Sequence, residues 1–167
     1  MFTQVIGKQM PNGQAGAYAR QPDMIVNTHA AGGTENIPFG VALVYDGATV
    51  VVMGEGKTAA DFVGVAAKEV KTSVSYYNQK GEYAPTEAVA VFQRGCVNVI
   101  CQKGVPALGG KVYVRVKANA TYADAIVGGF EAEADGNNTV ELTNCQWGGV
   151  ADPNKVAELK ILTLNKA

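Results

Sequence analysis

The feature that most constrains the fold is a series of short segments rich in valine and alanine, which glycine-containing turns separate from Ile37 to Leu164. Short apolar runs rich in β-branched residues and bounded by turn residues are typical of β-strands. A helix would need a longer stretch with apolar residues three and four positions apart. This part of the chain therefore predicts an all-β body.

Two of the turns predict hairpins. Asp46-Gly47 lies between the apolar runs Ile37–Tyr45 and Thr49–Met53, and Asp-Gly favours a type I′ turn because both central residues of that turn need a positive φ. Arg94-Gly95 separates Ala88–Gln93 from Cys96–Gln102 in a similar way. We therefore predict a first hairpin at Asp46-Gly47 and a second at Arg94-Gly95.

The segment Lys111–Lys117 alternates cleanly and predicts a strand with one buried face and one solvent-facing side. The buried face carries Val112, Val114 and Val116, and the solvent-facing side carries Lys111, Tyr113, Arg115 and Lys117.

Further strands bring the count to eight or nine. Phe62–Val70 is predicted as a strand rather than a short helix, because it contains several valines and a glycine. A turn at Gly136-Asn137 falls between two of the late strands. The late strands are Ala125–Glu133, Thr139–Trp147 and Val156–Leu164. Strands at this spacing predict an antiparallel β-sandwich or barrel, jelly-roll-like in type.

The first 36 residues differ from the rest, because they are polar, contain several glycines and show neither helical nor strand periodicity. We predict an extended N-terminal arm over residues 1–36 and a single β domain over residues 37–167. Isolated apolar side chains in such an arm are suited to contact another surface at intervals. The candidate contact residues are Phe2, Ile6, Met10, Tyr18, Met24 and Ile25.

Charge and hydropathy exclude two classes of partner. The formal net charge is −1, from 14 basic and 15 acidic residues that are scattered singly, so no basic stripe is available to neutralise phosphates. No stretch approaches the roughly 18 apolar residues that a membrane span requires, and the N-terminus has no secretion signal. We expect no nucleic-acid or membrane partner, synthesis in a cytoplasm, and three cysteines that act as small buried side chains.

The sequence lacks a convincing catalytic, cofactor or metal motif. Gly54-Glu55-Gly56-Lys57-Thr58 resembles part of a phosphate-binding loop, but Val51 stands where that loop needs its first glycine. The single histidine, His29, lies in the predicted arm, and Cys96 and Cys101 do not have a zinc-ligand spacing. We predict that the protein is not an enzyme and that it binds no cofactor or metal.

Two local clusters allow a functional interpretation. Carboxylates at Asp124, Glu131, Glu133, Asp135 and Glu141 are compatible with a paired-carboxylate hydrolase or a calcium loop, but acidic residues are also common on the solvent-facing side of a hairpin, which is the interpretation we favour. The second cluster is aromatic and suits a sugar or a protein partner. Its members are Tyr76, Tyr77 and Tyr83, together with Trp147.

Several short motifs occur in an order that resembles the structural cement, or capsid decoration, proteins of tailed bacteriophages. The resemblance covers about Phe39 to Leu164. Its motifs are Ile37-Pro38-Phe39-Gly40, Val63-Gly64-Val65-Ala66, Arg94-Gly95, Gly110-Lys111-Val112-Tyr113-Val114 and Val127-Gly128-Gly129-Phe130.

This resemblance implies a virion protein that binds the outer surface of a phage head and stabilises it. The implied partners are the major capsid protein and further copies of the same chain, with a homotrimer as the favoured oligomer. No cofactor is implied. The alternatives that remain open are another virion component, such as a tail or tube subunit, and a carbohydrate-binding β module.

Overall fold

The structure is a computed structural model that describes residues 11–69 and 81–165. In these residues the chain forms twelve β-strands and three short 3-10 helical turns, which confirms the predicted all-β class. The 3-10 turns are Ala59–Asp61, Ala120–Tyr122 and Gly136–Asn138. The strands are β1 (Tyr18–Ala31), β2 (Ile37–Pro38), β3 (Ala42–Asp46), β4 (Thr49–Val52), β5 (Phe62–Ala66), β6 (Glu82–Tyr83), β7 (Ala88–Ile100), β8 (Val112–Arg115), β9 (Phe130–Glu131), β10 (Thr139–Leu142), β11 (Cys145–Trp147) and β12 (Val156–Ile161).

Five strands of the main sheet close into a ring. The seven-stranded sheet has the order β1-β4-β3-β5-β7-β12-β11, and β1 also pairs with β7. The β1–β4 pair is parallel, and the other pairs of the ring are antiparallel. Ring closure pairs strands that would otherwise be sheet edges. This part of the protein is therefore a small barrel.

β7 is the central strand of the protein and corrects the second predicted hairpin. It continues through Arg94-Gly95, pairs with β1 along one edge, and pairs with β5 and then β12 along the other. Gly95 has a φ of +108°, and a Cβ at this position would lie 2.2 Å from the carbonyl oxygen of Asp23 in β1. The glycine therefore permits a close approach of two backbones instead of a turn.

β1 lies in the segment for which the sequence predicted no strand. Tyr18–Ala31 pairs with β7 in an irregular register. Arg20 is opposite Cys96 and Ile25 is opposite Arg94, so five steps along β1 match only two steps along β7. The extra residues interrupt the alternation of side chains, and a search for period two therefore misses the strand. Residues 1–10 of the predicted arm lie outside the described residues.

A second layer packs on the main sheet. It is a three-stranded antiparallel sheet with the order β10-β8-β9, and a bridge between Cys101 and Phe130 links it to the end of β7. One buried cluster combines Val97 and Leu159 of the main sheet with Val114 and Phe130 of the small sheet. The two sheets therefore share a core, as in a sandwich.

A second buried cluster draws on all five ring strands. Neighbouring residues of β3 point to different clusters, because Val44 belongs to the first and Leu43 to the second. This alternation is what a strand with two buried faces requires. The ring strands contribute Ala31, Leu43, Val50, Ala66, Val89 and Val91 to the second cluster.

The first predicted hairpin is confirmed, with a different turn centre. β3 and β4 pair from Leu43↔Val52 to Asp46↔Thr49, so the two loop residues are Gly47 and Ala48. Gly47 has a φ of +58°, whereas Ala48 does not have a positive φ. One positive φ at the first central residue is the type II′ pattern, not the predicted type I′.

The later strands are shorter than predicted. Phe62–Val70 contains β5, as expected, and its last residue is outside the described part. Ala125–Glu133 contributes only the two residues of β9, and Thr139–Trp147 divides into β10 and β11. The division places Leu142 in the small sheet and Trp147 in the main sheet, and both side chains are buried.

Candidate interaction surface

The contact residues predicted from the sequence fall into two groups. Those with described positions are Tyr18, Met24 and Ile25 on β1 and Tyr83 on β6. The others, namely Phe2, Ile6, Met10, Tyr76 and Tyr77, lie outside the described residues.

Tyr18 is accessible in the chain, whereas Met24, which also lies on β1, is partly buried. The Tyr18 ring is 36% exposed, and its centroid lies 5.5 Å from that of Phe92. Its hydroxyl donates a hydrogen bond of 2.9 Å to Glu69, and partial burial and this carboxylate raise the pKa of Tyr18 to about 12. Met24 packs against the first core cluster. Tyr18 is therefore the more available of the two side chains.

Tyr83 is inside the protein, which differs from the predicted exposed aromatic surface. Its side chain is 2% exposed, and its ring meets that of Phe39 edge to face at a centroid distance of 5.0 Å. The hydroxyl donates a 2.6 Å hydrogen bond to the carbonyl oxygen of Ala67, and burial raises the pKa of Tyr83 to about 12. Trp147 is also fully buried. In the isolated chain, the rings of Tyr83 and Trp147 are both packed in the protein interior.

Among the described residues, the most exposed large apolar side chains come from two loops that the sequence did not single out. Val105 is 80% exposed, Leu108 75% and Val150 68%. We call these three residues the aliphatic patch. Apolar side chains exposed to this degree remain in contact with water in the isolated chain.

Backbone hydrogen bonds bring the two loops of the patch together beside β11. The Trp147 N–H donates to the carbonyl oxygen of Gly110 at 3.0 Å, and the Gly109 N–H donates to the carbonyl oxygen of Trp147 at 2.8 Å. The end of β11 and Gly109-Gly110 are therefore antiparallel to each other at this point. These bonds place Gly109 and Gly110 beside Trp147.

Both loops are fixed at further points. The Gly110 N–H donates to the carbonyl oxygen of Ala107 at 2.8 Å, and the Gly148 N–H donates to that of Glu158 at 2.7 Å. At the start of the first loop, Lys103 Nζ lies 3.5 Å from an Asp135 carboxylate oxygen. The aliphatic patch is therefore displayed by backbone that has several hydrogen-bond anchors.

The two loops carry no charged residue. Residues 104–110 read Gly-Val-Pro-Ala-Leu-Gly-Gly, and residues 148–151 read Gly-Gly-Val-Ala. Elsewhere the chain has 14 basic and 15 acidic residues. The patch is thus an uncharged apolar area on a surface that is otherwise mixed in charge.

A buried ion cluster lies behind the first loop. Arg115 Nε is 2.6 Å from Glu131 Oε1, and both side chains are fully buried, so the prediction that Arg115 faces solvent is wrong. Arg115 Nη1 also lies 2.9 Å from Asp135 Oδ2. Asn119 donates a hydrogen bond to the same carboxylate, and this bond, followed by the Arg115 interaction, lowers the pKa of Asp135 to about 2.

This cluster is suited to a structural role. Glu131 and Asp135 are the only two of the predicted acidic group that bind Arg115 in the described residues. Lys103 also pairs with Asp135, so two cations balance the two carboxylates. Ion pairing holds the Asp135 carboxylate in its charged form, which does not suit a general acid. Glu141 instead pairs with Lys111 at the surface, with Nζ and Oε1 3.0 Å apart.

The remaining motifs have ordinary structural explanations. Gly56, with a φ of +80°, lies in a turn, and Thr58 then caps the 3-10 turn at Ala59–Asp61 through a reciprocal bond with Asp61. His29 is held in β1 and meets the Tyr45 ring edge to face, with the centroids 5.3 Å apart. Within the described ranges, no three His, Cys, Asp or Glu residues are grouped closely enough to hold a metal ion. No helix in those ranges is long and apolar enough to cross a membrane.

A cleft of about 460 Å³ lies near the ion cluster. Its walls include Ile100, Tyr122 and Ile126, which are 45%, 40% and 49% exposed. Lys103 Nζ lies 4.4 Å from the centre of the Tyr122 ring, within the range of a cation–π contact. The Gln102 side chain closes one side by hydrogen bonds to the backbone of Ile126.

The described residues form an all-β protein with three exposed aliphatic side chains on two uncharged loops. The family model described as "Structural cement protein (E217 gp24/Pam3 gp6)" matches residues 2–162. The chain therefore belongs to this family of phage structural cement proteins, and its role is a structural one in the phage capsid.

The fold comparison agrees with this membership. A chain of the solved structure "The capsid of Myoviridae Phage XM1" matches with a TM-score of 0.70 and 14% sequence identity, over 98% of each chain. At this identity the likeness shows a shared fold. No curated protein matches the sequence.

Proposed function

We propose that this protein decorates the outer surface of a phage head, with the major capsid protein as its partner, and stabilises the assembled shell. The observation that carries the proposal is the match of the cement family over residues 2–162. The family is a structural one, so we expect no catalytic activity. The proposed location is the virion, after synthesis in the bacterial host cytoplasm.

A decoration protein can bind strongly through many repeated weak contacts instead of through one tight site. On a lattice with many equivalent positions, contacts that are weak singly become strong together, because each copy that binds raises the effective concentration of the next contact. The aliphatic patch and the partly exposed Tyr18 ring supply contacts of this kind. A homotrimer remains the proposed oligomer.

We further propose that the N-terminal residues contribute contacts to the neighbouring protein, as the sequence suggested for Phe2, Ile6 and Met10. The described chain is anchored immediately after this segment. The Asn12 N–H donates to Asp152 at 2.8 Å, and the Asn12 side chain donates to the carbonyl oxygen of Val156 at 2.8 Å. These bonds fix the point at which residues 1–10 join the body.

The arm is tested by a deletion that spares the sheet. Deletion of residues 1–36 would remove β1, and so the informative variant lacks only residues 2–10. We expect this variant to unfold at the same temperature as the full chain and to bind heads more weakly. Unchanged head affinity would contradict the proposed contact of Phe2, Ile6 and Met10. Alanine at Tyr76 and Tyr77 together tests the aromatic contact in the same assay.

The proposed function is tested by incubating the purified protein with expanded heads that lack it. We expect saturable co-sedimentation with a fixed number of copies per head, and a higher temperature of head disruption after binding. Tail tubes from the same phage are the matched control. Absence of head binding over a range of salt concentrations, or preferential binding to tubes, would contradict the proposal.

A further inference from the structure

We propose that Asn98 and Asp152 hold Asn12 in a clamp that fixes the direction in which residues 1–10 leave the body, and that this clamp positions residues 1–10 for contact with the phage head. The inference rests on the proposed function, because it takes the contact of the N-terminal residues with the head as given. It goes further by assigning a positioning role to two residues of the body. We call Asn12, Asn98 and Asp152 the N-terminal clamp.

Asn12 is bonded to the body through its backbone and through its side chain. Its N–H donates to Asp152 Oδ2 at 2.8 Å, and its carbonyl oxygen accepts from Asn98 Nδ2 at 2.6 Å. Its side-chain amide donates to the carbonyl oxygen of Val156 at 2.8 Å. Asn98 lies in β7, Val156 is the first residue of β12, and Asp152 lies just before β12. One bond would leave Asn12 free to rotate, whereas three bonds to different positions fix its orientation as well as its place.

Asn98 holds the N-terminal segment at more than one point. It is a polar residue that is only 4% exposed, and a buried side-chain amide needs a hydrogen-bond partner. Along one edge of β7, Asn98 is opposite Glu158 of β12. Along the other edge, its N–H donates to the carbonyl oxygen of Ala17 at 2.8 Å, and its carbonyl oxygen accepts from the Gly16 N–H at 2.7 Å. Asn98 therefore binds residues 12–17 through its backbone and its side chain together.

The two carboxylate oxygens of Asp152 have different partners. Oδ1 accepts the N–H groups of Asn154 and Val156, both at 2.9 Å, whereas Oδ2 accepts the N–H of Asn12. Desolvation raises the pKa of Asp152, but the three hydrogen bonds outweigh it and lower the pKa below its ordinary value. The carboxylate is therefore charged near neutral pH, and hydrogen bonds to a charged acceptor are stronger than neutral ones.

The residues on both sides of Asn12 limit rotation of the chain at the clamp. The ring of Pro11 fixes its φ. Gly13 has a φ of +119°, and a Cβ at this position would lie 3.2 Å from Asn98 Nδ2, so glycine allows the chain to pass close to this side chain. A segment whose starting direction is already fixed loses less conformational entropy when it binds. The clamp therefore favours binding by residues 1–10 without itself touching the head.

The test uses Asp152→Asn and Asn98→Ala, each in the full chain. Asparagine at position 152 keeps an oxygen for the turn amides but places an NH₂ group beside the N–H of Asn12, where two donors cannot bond. Asp61→Asn is the matched control for the first variant, because Asp61 also accepts a backbone N–H, from Thr58 at 2.7 Å. Asn144→Ala is the control for the second, because the Asn144 side chain also donates to a backbone carbonyl oxygen. Thermal unfolding of each variant confirms that the fold is retained.

Head affinity is then measured by co-sedimentation in two backgrounds. The first is the unsubstituted chain, and the second carries alanine at Phe2, Ile6 and Met10 together. We expect both clamp variants to lower the affinity about 2–10-fold in the first background, because residues 1–10 must then be ordered on binding. In the second background we expect almost no change, and the two control variants should change the affinity in neither. A purely structural role would lower the affinity equally in both backgrounds.

Amide hydrogen exchange tests the clamp in the free protein. We expect the Asn12 amide to exchange more slowly than in an unstructured peptide, because its N–H is bonded to Asp152. Asp152→Asn should make this exchange on the order of tenfold faster and leave the amides of β8 unchanged. An Asn12 amide that already exchanges at the unstructured rate in the unsubstituted chain would overturn the inference.

The outcomes separate this inference from the proposed function. If the clamp variants lower head affinity equally in both backgrounds, or in neither, the inference is overturned and head decoration stands. If the triple alanine variant binds heads as tightly as the unsubstituted chain, residues 1–10 make no contact and the positioning role is overturned with it. If the unsubstituted chain does not bind heads, the proposed function fails, and a slowly exchanging Asn12 amide that Asp152→Asn releases shows that the clamp itself stands.

Discussion

Replacing Glu131 by glutamine should destabilise the protein far more than the same change at a surface carboxylate. Glu131 and Arg115 are both fully buried, and their Oε1 and Nε atoms are 2.6 Å apart. Glutamine keeps the shape and one acceptor but removes the negative charge. Breaking a buried ion pair from one side costs about 3–5 kcal/mol, because the remaining charge stays buried. Arg115 retains its 2.9 Å contact with Asp135, so we expect the lower end, about 3 kcal/mol.

The free energy of unfolding in urea measures this cost. For a chain of this length, about 3 kcal/mol corresponds to a fall in melting temperature of roughly 6–12 °C. Glu141→Gln is the matched control, because Glu141 lies in β10 of the same small sheet and pairs with Lys111, and both side chains are solvent-accessible. Exposed pairs contribute about 0–1 kcal/mol. The double variant Arg115→Met with Glu131→Leu should lose much less than the two single changes together.

Equal effects of Glu131→Gln and Glu141→Gln would refute this reasoning. Such a result would mean that water or a rearranged side chain solvates Arg115 in the native state. A double variant as unstable as the sum of the single changes would also contradict it, since the cost would then arise from packing and not from an unpaired charge.

Three further perturbations test other parts of the structure. Gly95→Ala should cost about 1–3 kcal/mol, because the residue has a positive φ and the new Cβ would collide with the carbonyl oxygen of Asp23. The free energy of unfolding should fall as the pH drops from about 4 to about 2. The pKa of Asp135 is lower in the folded protein than in the unfolded chain, so the ionised carboxylate stabilises the fold and this stabilisation is lost on protonation. Asn119→Ala removes a hydrogen bond that lowers this pKa, so the free energy of unfolding should depend less steeply on pH in this variant. Tyr83→Phe should cost about 1 kcal/mol through loss of a buried hydrogen bond, measured by urea unfolding.

Each of these has a control. Gly56→Ala changes a glycine with a similar positive φ but open space around it, so it should cost less than Gly95→Ala. If the two glycine variants are equally stable, the close approach of β1 and β7 at Gly95 is wrong. An unaltered pH profile in Asn119→Ala would show that Asp135 is not the responsible carboxylate. Tyr45→Phe, at a partly exposed tyrosine, should change stability less than Tyr83→Phe.

Features set by nearby residues could be predicted from the sequence. The hairpin between β3 and β4 needs only a short turn between two apolar runs, and glycine at position 47 supplies the positive φ. The alternation in Lys111–Lys117 correctly placed Val112, Val114 and Val116 in the core. In both cases the pattern and the structure it specifies lie within a few residues of each other.

Features set by distant contacts could not be predicted in this way. Arg94-Gly95 has the composition of a turn, yet β7 continues through it because β1, some seventy residues earlier, fills the space beside Gly95. Arg115 alternates like a solvent-facing residue, and it is buried because Glu131 and Asp135 provide its ion partners. In each case the decisive neighbour is remote in sequence.

The aliphatic patch was missed for a different reason. Val105, Leu108 and Val150 are apolar residues between glycines, and such residues are ordinarily assigned to the core. The structure instead places them in loops, where they are 80%, 75% and 68% exposed. The residues beside them in the sequence do not specify this exposure.

The central claim is that this chain is a decoration protein on the outside of a phage head. The most direct test compares image reconstructions of heads assembled with and without the protein. We expect additional density on the outer surface that fits this fold. Identical head reconstructions, or additional density confined to the tail or the inner surface, would contradict it.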